Sequence, residues 1–181
     1  MANPRTGANV NDRVFIGLGS NIGDRIQFLQ KGIAALEAIP KTHVVAASSV
    51  YETEPVGLKE QPPFLNAVVE VQISLGPVEL VKTLKAIEEQ IGRTESVRWG
   101  PREVDLDLLY YGEKVLHKGR FIIPHPEIAK RKFVLVPLAE IAADFVDPSR
   151  ALTIGELLSQ CVDTSGVIKT QYNLEHHQTE S

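Results

Sequence analysis

The stretch Arg98-Trp99-Gly100-Pro101-Arg102-Glu103-Val104-Asp105-Leu106-Asp107-Leu108 joins a cationic loop, stiffened by glycine and proline, to a strand with two acids one residue apart. Side chains alternate across a strand, so Asp105 and Asp107 point to one face while Leu106 and Leu108 point to the other. Two carboxylates side by side repel. The pair is tolerable on a solvated face, or with hard cations between the carboxylates. Both readings fit the acids alone. The apolar opposite face and the flanking arginines favour a site, because guanidinium groups suit the phosphates that such cations bring.

Working backwards, Val14 to Leu18 reads as a short buried strand, followed by a helix whose apolar positions Ile26, Leu29, Ile33 and Leu36 keep helical spacing behind an Asp24 N-cap. Val44 to Tyr51 is β-branched enough for a second strand, and Phe64 to Ser74 reads as a third, drier at Val69, Val71 and Ile73. Pro77 suits a first helical turn, and Leu80, Leu84, Ile87 and Ile91 form the stripe of a second helix ending at Gly92. The acid strand, Val104 to Tyr111, then completes strand, helix, strand, strand, helix, strand. That order predicts an α+β fold with a ferredoxin-like βαββαβ core, a sheet with helices packed on it. Segments near Phe133 to Ala142 and Ile154 to Gln160 predict additional short C-terminal helices. The expected organisation is a mobile tail over 1–12, one domain over 13–162 and a polar C-terminal tail over 163–181.

With 181 residues, 43% hydrophobic and 23% charged, the chain is long enough for one sizeable core. A net charge of -4 argues against broad nucleic-acid or membrane binding. The single cysteine, Cys161, suits a reducing compartment, and neither a spanning apolar run nor a secretory signal is visible. A cytoplasmic protein is expected, working on small molecules and as a monomer.

Gly17-Leu18-Gly19-Ser20-Asn21-Ile22-Gly23 imitates a dinucleotide fingerprint, with its final glycine one residue late and Glu52 as a candidate ribose-binding acid. The reading preferred here is a tight turn; a dinucleotide-binding oxidoreductase is the alternative. No P-loop is present in the sequence. Arg93, Arg98 and Arg102 precede the acids, and Arg120, His125 and Arg131 follow them. His125, between two prolines, is either a held functional side chain or a turn histidine bonded to backbone. Trp99 either plugs its loop onto the core or covers a flat ligand. Phe64 and Asn66 share a strand face, so an aromatic plate and an amide can meet one heterocycle, although core packing explains Phe64 alone.

Taken together, Ile16-Gly17-Leu18-Gly19-Ser20-Asn21, Phe64-Leu65-Asn66-Ala67, Gly92-Arg93, the Arg98 to Asp107 stretch and Pro124-His125-Pro126 resemble the 6-hydroxymethyl-7,8-dihydropterin pyrophosphokinase family of folate biosynthesis. The resemblance runs from about Val14 to Asp147. It implies an ATP-dependent pyrophosphokinase that transfers pyrophosphate to the pterin hydroxymethyl group and releases AMP. It implies two Mg²⁺ ions on Asp105 and Asp107, with Arg93, Arg102, Asp105 and Asp107 as catalytic residues. ATP would be bound by Arg93, Arg102, Arg120, His125 and Arg131. The pterin would be bound by Thr53, Val56, Gly57, Phe64, Asn66, Trp99 and Phe133. Glu88 also falls at a family position, with its role open. Glu95 stands where many members carry arginine and Glu54 where many carry proline; with Glu95 in mind, a non-catalytic pterin- or nucleotide-binding regulator is a further alternative.

Overall fold

Apolar residues at every second position make Val14–Ser20 a strand, β1, and place it at the heart of the sheet. The computed structural model describes residues 12–55, 60–92 and 103–176. After β1 come α1 (Arg25–Glu37), β2 (His43–Ala47), β3 (Tyr51–Thr53), β4 (Phe64–Gln72), α2 (Pro77–Ile91) and β5 (Asp105–Tyr111). A hairpin, β6 (Leu116–Lys118) and β7 (Phe121–Ile123), is followed by a 3-10 turn (Ile128–Lys130), α3 (Lys132–Ala142), α4 (Ile154–Gln160) and β8 (Val167–Lys169). The sheet order is β5-β1-β4-β3-β8, with β2 also on β4, and every pairing is antiparallel. The expected ferredoxin-like order is therefore present.

Two cores lie on opposite faces of this sheet. On one, Val14, Ile16, Leu18, Val69, Val71, Leu106 and Leu108 meet Leu29, Ile33 and Leu36 of α1 and Leu80, Leu84 and Ile87 of α2. Both helices present their apolar residues at the three-and-four spacing that makes one stripe. Asp24 caps α1 by accepting from the Gln27 amide at 3.2 Å, and Pro77 opens α2. Truncating such a fully buried leucine to alanine costs about 2–5 kcal/mol. On the other face Phe15, Val68, Leu109 and Tyr110 meet Leu135, Leu138 and Ala142 of α3 and Ile154 and Leu157 of α4. The β1–β5 register shifts between Phe15 and Ile16, which brings the neighbours Leu109 and Tyr110 into the same core.

Three segments differ from what alternation alone predicts. The single strand expected over Val44 to Tyr51 is two, because residues 48–50 leave the ladder while Ser48 Oγ accepts the Val68 amide at 2.9 Å. Strand β4 is buried at Asn66 and Val68 as well as at Leu65 and Ala67, since α3 covers its second face. Polar composition past Asp163 does not keep the chain off the sheet: β8 pairs with β3, and Leu174 is buried against the first core.

Asp147 is fully buried at the far end of the second core. It accepts from the Tyr110 hydroxyl at 2.5 Å, from the Ser149 and Arg150 amides at 2.7 and 2.9 Å, and from the Arg150 guanidinium at 3.0 Å. Burial pushes its carboxyl up, but these donors outweigh burial and hold it below the ordinary carboxylate range. A depressed folded pKa contributes stability that is complete above the unfolded value of about 3.9 and is lost as pH falls through the folded one. Asp147→Ala is expected to cost about 3 kcal/mol in urea denaturation near neutrality. The gap between variant and parent is expected to narrow from about pH 5 downwards. An unchanged gap would remove the charged hydrogen bonds as its source.

Candidate active site

The register places Asn66 opposite Gly19 and Gly19 opposite Asp105; the next row is Val68, Gly17 and Asp107. These rows share the sheet face that α3 covers, so only glycine stands between the amide and the acids. A Cβ at Gly19 would lie 2.7 Å from Asn66 Oδ1, a distance that real Cβ atoms do not adopt. The glycines are therefore a cavity floor inside β1, not the tight turn expected there. The turn follows, at Gly23 with φ +65°. Because both neighbours of β1 run antiparallel to it, there is no parallel βαβ unit to form a dinucleotide site here.

A cavity of about 380 Å³ opens over this floor, walled by Thr53, Phe64, Asn66, Glu88, Asp105, Asp107, Arg131 and Phe133. Asn66 is 8% exposed and donates from Nδ2 to Thr53 Oγ1 at 2.5 Å, which fixes the plane of its amide. The cavity rim is pinned from the end of β1 and the start of α1: Asn21 Nδ2, just after β1, donates to Gln61 Oε1 at 3.0 Å, and Arg25 donates to the Pro63 carbonyl at 2.9 Å. Arg25 also pairs with Glu52 at 3.2 Å, so the candidate ribose acid is engaged in holding this rim. Arg131 and Phe133 enter from the start of α3, the guanidinium 5.7 Å from the ring centroid. The Lys132 amide there is taken by Asp163 Oδ2 at 3.0 Å, a remote cap from the C-terminal segment.

A second cavity of about 250 Å³ is walled by Arg120, Phe121, Ile123, His125 and Pro126, and Asp107 and Lys85 line both cavities. His125 Nδ1 accepts the Glu127 amide at 3.2 Å, so its neutral ring carries the proton on Nε2 as a donor. Burial lowers the His125 pKa, against the pull of Asp107, and favours that neutral form. His125 is thus bonded to backbone, as its turn reading expects, and it also lines a cavity. Glu88 is raised, first by burial and further by Asp107, although the Leu106 amide and Lys85 oppose the shift.

Of the expected residues, Thr53, Phe64, Asn66, Asp105, Asp107, Arg131 and Phe133 share the larger cavity, while Arg120 and His125 share the smaller with Asp107. Arg93, Trp99, Arg102, Val56 and Gly57 lie outside the described residues, as does Glu95. No group of three or more His, Cys, Asp or Glu among the described residues can hold a metal unaided. Two acids alone still suit Mg²⁺, which keeps waters and takes further oxygens from phosphates. Gly17, Gly19, Lys85 and Glu54 escaped the sequence reading as wall residues. For the glycines a signal existed, since they alternate with Ile16 and Leu18. Glu54 has its own place: Oε1 accepts the Gly166 amide at 3.1 Å, tying the cavity edge to the segment before β8.

A family model described as 7,8-dihydro-6-hydroxymethylpterin-pyrophosphokinase (HPPK) matches residues 15–143. The 2-amino-4-hydroxy-6-hydroxymethyldihydropteridine pyrophosphokinase of Synechocystis sp. is 45% identical over 160 residues, covering 88% of this chain and 81% of that protein. The Bacillus subtilis protein of the same name is 46% identical over 132 residues, 73% of this chain and 79% of its own. Among solved structures, wild-type Plasmodium falciparum HPPK-DHPS with pteroate superimposes with a TM-score of 0.66 at 13% identity, over 82% of this chain and 44% of that one. The chain thus spans less than half of that larger protein, and the likeness is one of fold.

Gly19→Ala is expected to preserve the sheet but push the Asn66 amide off Thr53. The measurable signs are displaced Asn66 side-chain amide signals in NMR and a stability loss of about 1–3 kcal/mol. Unmoved Asn66 signals would show that the floor tolerates a methyl group.

Proposed function

The chain belongs to the 7,8-dihydro-6-hydroxymethylpterin-pyrophosphokinase family, and from that premise we propose how its two cavities divide the work. It is an ATP-dependent diphosphotransferase of folate biosynthesis that moves pyrophosphate from ATP to the hydroxymethyl group of 6-hydroxymethyl-7,8-dihydropterin. The single observation that carries the division of labour is that Asp107 lies on the wall common to both cavities. A reaction joining two substrates needs its charged centre where their sites meet.

On this reading the pterin occupies the larger cavity. Asn66, its plane fixed by Thr53, supplies donor and acceptor to the heterocycle, and Phe64 and Phe133 hold its faces. Val56, Gly57 and Trp99 are assigned to pterin binding by family resemblance alone. ATP enters past Arg120 and His125, where the exposed Arg120 guanidinium and a neutral Nε2–H meet phosphate oxygens. Arg131, beside Phe133, can reach the transferring phosphates. Arg93 and Arg102 are assigned by resemblance as the clamps that counter charge moving during transfer. Asp105 and Asp107 would hold two Mg²⁺ ions, which would supply neutralisation of phosphate charge.

The hydroxymethyl oxygen bonds to the β-phosphorus while the bond from that phosphorus to the α-phosphate oxygen breaks, so AMP leaves and the hydroxyl proton passes to solvent. Catalysis is then positioning and electrostatics, with no protein nucleophile. The reading extends to a cytoplasmic monomer whose catalytic domain takes in β8 and Leu174 as well as the segment 13–162. Among the described residues no helix is long and apolar enough to cross a membrane.

With ATP, Mg²⁺ and the hydroxymethyl dihydropterin, the nucleotide released is expected to be AMP; ADP, or binding without turnover, would overturn the reading. Asp107→Ala is expected to lower kcat by at least about a hundredfold, some 3 kcal/mol of barrier, with the thermal transition retained. Full activity in that variant would remove the metal assignment.

A further inference from the structure

Strand β5 carries both acids and lies at the sheet edge, with β1 on one side and no strand on the other among the described residues. An edge strand has unpaired amides on its outer side, and a partly buried one must find another acceptor. Leu106 is the residue between Asp105 and Asp107. Its side chain is 3% exposed, packed into the first core, and its amide donates to Glu88 Oε1 at 2.7 Å. That amide belongs to the peptide linking Asp105 to Leu106. The bond therefore fixes the backbone from which one acid projects and directly precedes the other.

Glu88 is itself held. Leu84 and Ile87 anchor that part of α2 in the core, and the Glu88 side chain is only 11% exposed. Its other oxygen, Oε2, lies 3.5 Å from Lys85 Nζ, the cation that lines both cavities beside Asp107. The Glu88 carbonyl accepts the Gly92 amide at 2.8 Å, where α2 ends. Glu88 thus links the acid strand to the cation at the junction of the cavities through its carboxylate, and reaches the end of the helix through its carbonyl.

We propose that Glu88 is a positioning residue for pyrophosphoryl transfer: it sets the direction of Asp105 and Asp107 through the Leu106 amide. Its work at the strand is that of a hydrogen-bond acceptor, not of a metal ligand or a base. This rests on the reading above for the reaction served, but the contact itself can be tested without turnover.

The variants are Glu88→Gln, which keeps an oxygen for the Leu106 amide, and Glu88→Ala, which does not. Amide exchange at Leu106, followed by NMR in the ligand-free protein, is expected to stay slow in the Gln variant and to accelerate by at least about tenfold in the Ala variant. Equal exchange in all three proteins would overturn the contact, whatever the enzyme does. In the AMP-forming assay, Ala is expected to lower kcat by about tenfold or more and raise the half-saturating Mg²⁺ severalfold, with the pterin KM changed less than about twofold. Gln is expected to recover kcat to within about threefold of the parent. Gln as impaired as Ala, in a protein whose Leu106 exchange is slow, would overturn the acceptor role and make the charge itself the working feature. If Ala fails to fold, the Gln variant alone decides, because a large kcat loss with the amide still protected contradicts the proposal. Inactivity of the parent protein would count against the reaction assignment and leave the exchange result to judge the contact.

Discussion

Close approach across β1 is the constraint on which the site depends. Gly17 and Gly19 alternate with Ile16 and Leu18, so one face of the strand is core and the other is bare backbone. The bare face lets Asn66 on β4 and Asp105 and Asp107 on β5 look onto one space with no side chain between them. Had those positions carried side chains, α3 would have closed on a packed interface like the one it makes lower down with Phe15, Val68 and Leu109. The cavity is the place where the second core is left unfilled.

Around that floor the protein arranges charge by distance along the chain. The acids come from the edge strand, Arg120 and His125 from the segment after it, and Arg131 and Phe133 from the first turn of α3. Several of these are held by groups that neither substrate need touch through the contact concerned: Asp163 accepts the Lys132 amide at the start of α3, the Glu127 amide bonds the His125 ring, and Glu88 takes the Leu106 amide. Such support matters because phosphoryl-group transfer asks little covalent chemistry of the protein and much geometric accuracy. The C-terminal segment joins in, through Gly166 on Glu54 and β8 on β3. Glu54 at the cavity edge thus has a structural partner.

Much of this was legible beforehand. Strand alternation placed Asp105 and Asp107 together, the stripes of α1 and α2 named their buried leucines and isoleucines, and Phe64 and Asn66 were assigned one face. What was missed has a common cause. Glycines near a strand end look like a turn, and Ser48 to Val50 look like more strand, because local pattern carries no information about what packs opposite. The polar composition of 163–176 likewise hides one short edge strand and one buried residue, Leu174.

By itself the sequence determined the alternations and periodicities that make the antiparallel sheet and its helices, and it determined which acids, cations and aromatic rings were present to be used. Those depend on near neighbours and on the period of the backbone. Only the tertiary structure decided that Asp107 would stand between two cavities, that the glycines would be a floor, and that Glu88 would hold the amide between the acids. These are pairings of residues far apart in the chain, fixed by register and by the packing of α2 and α3 against opposite faces of one sheet.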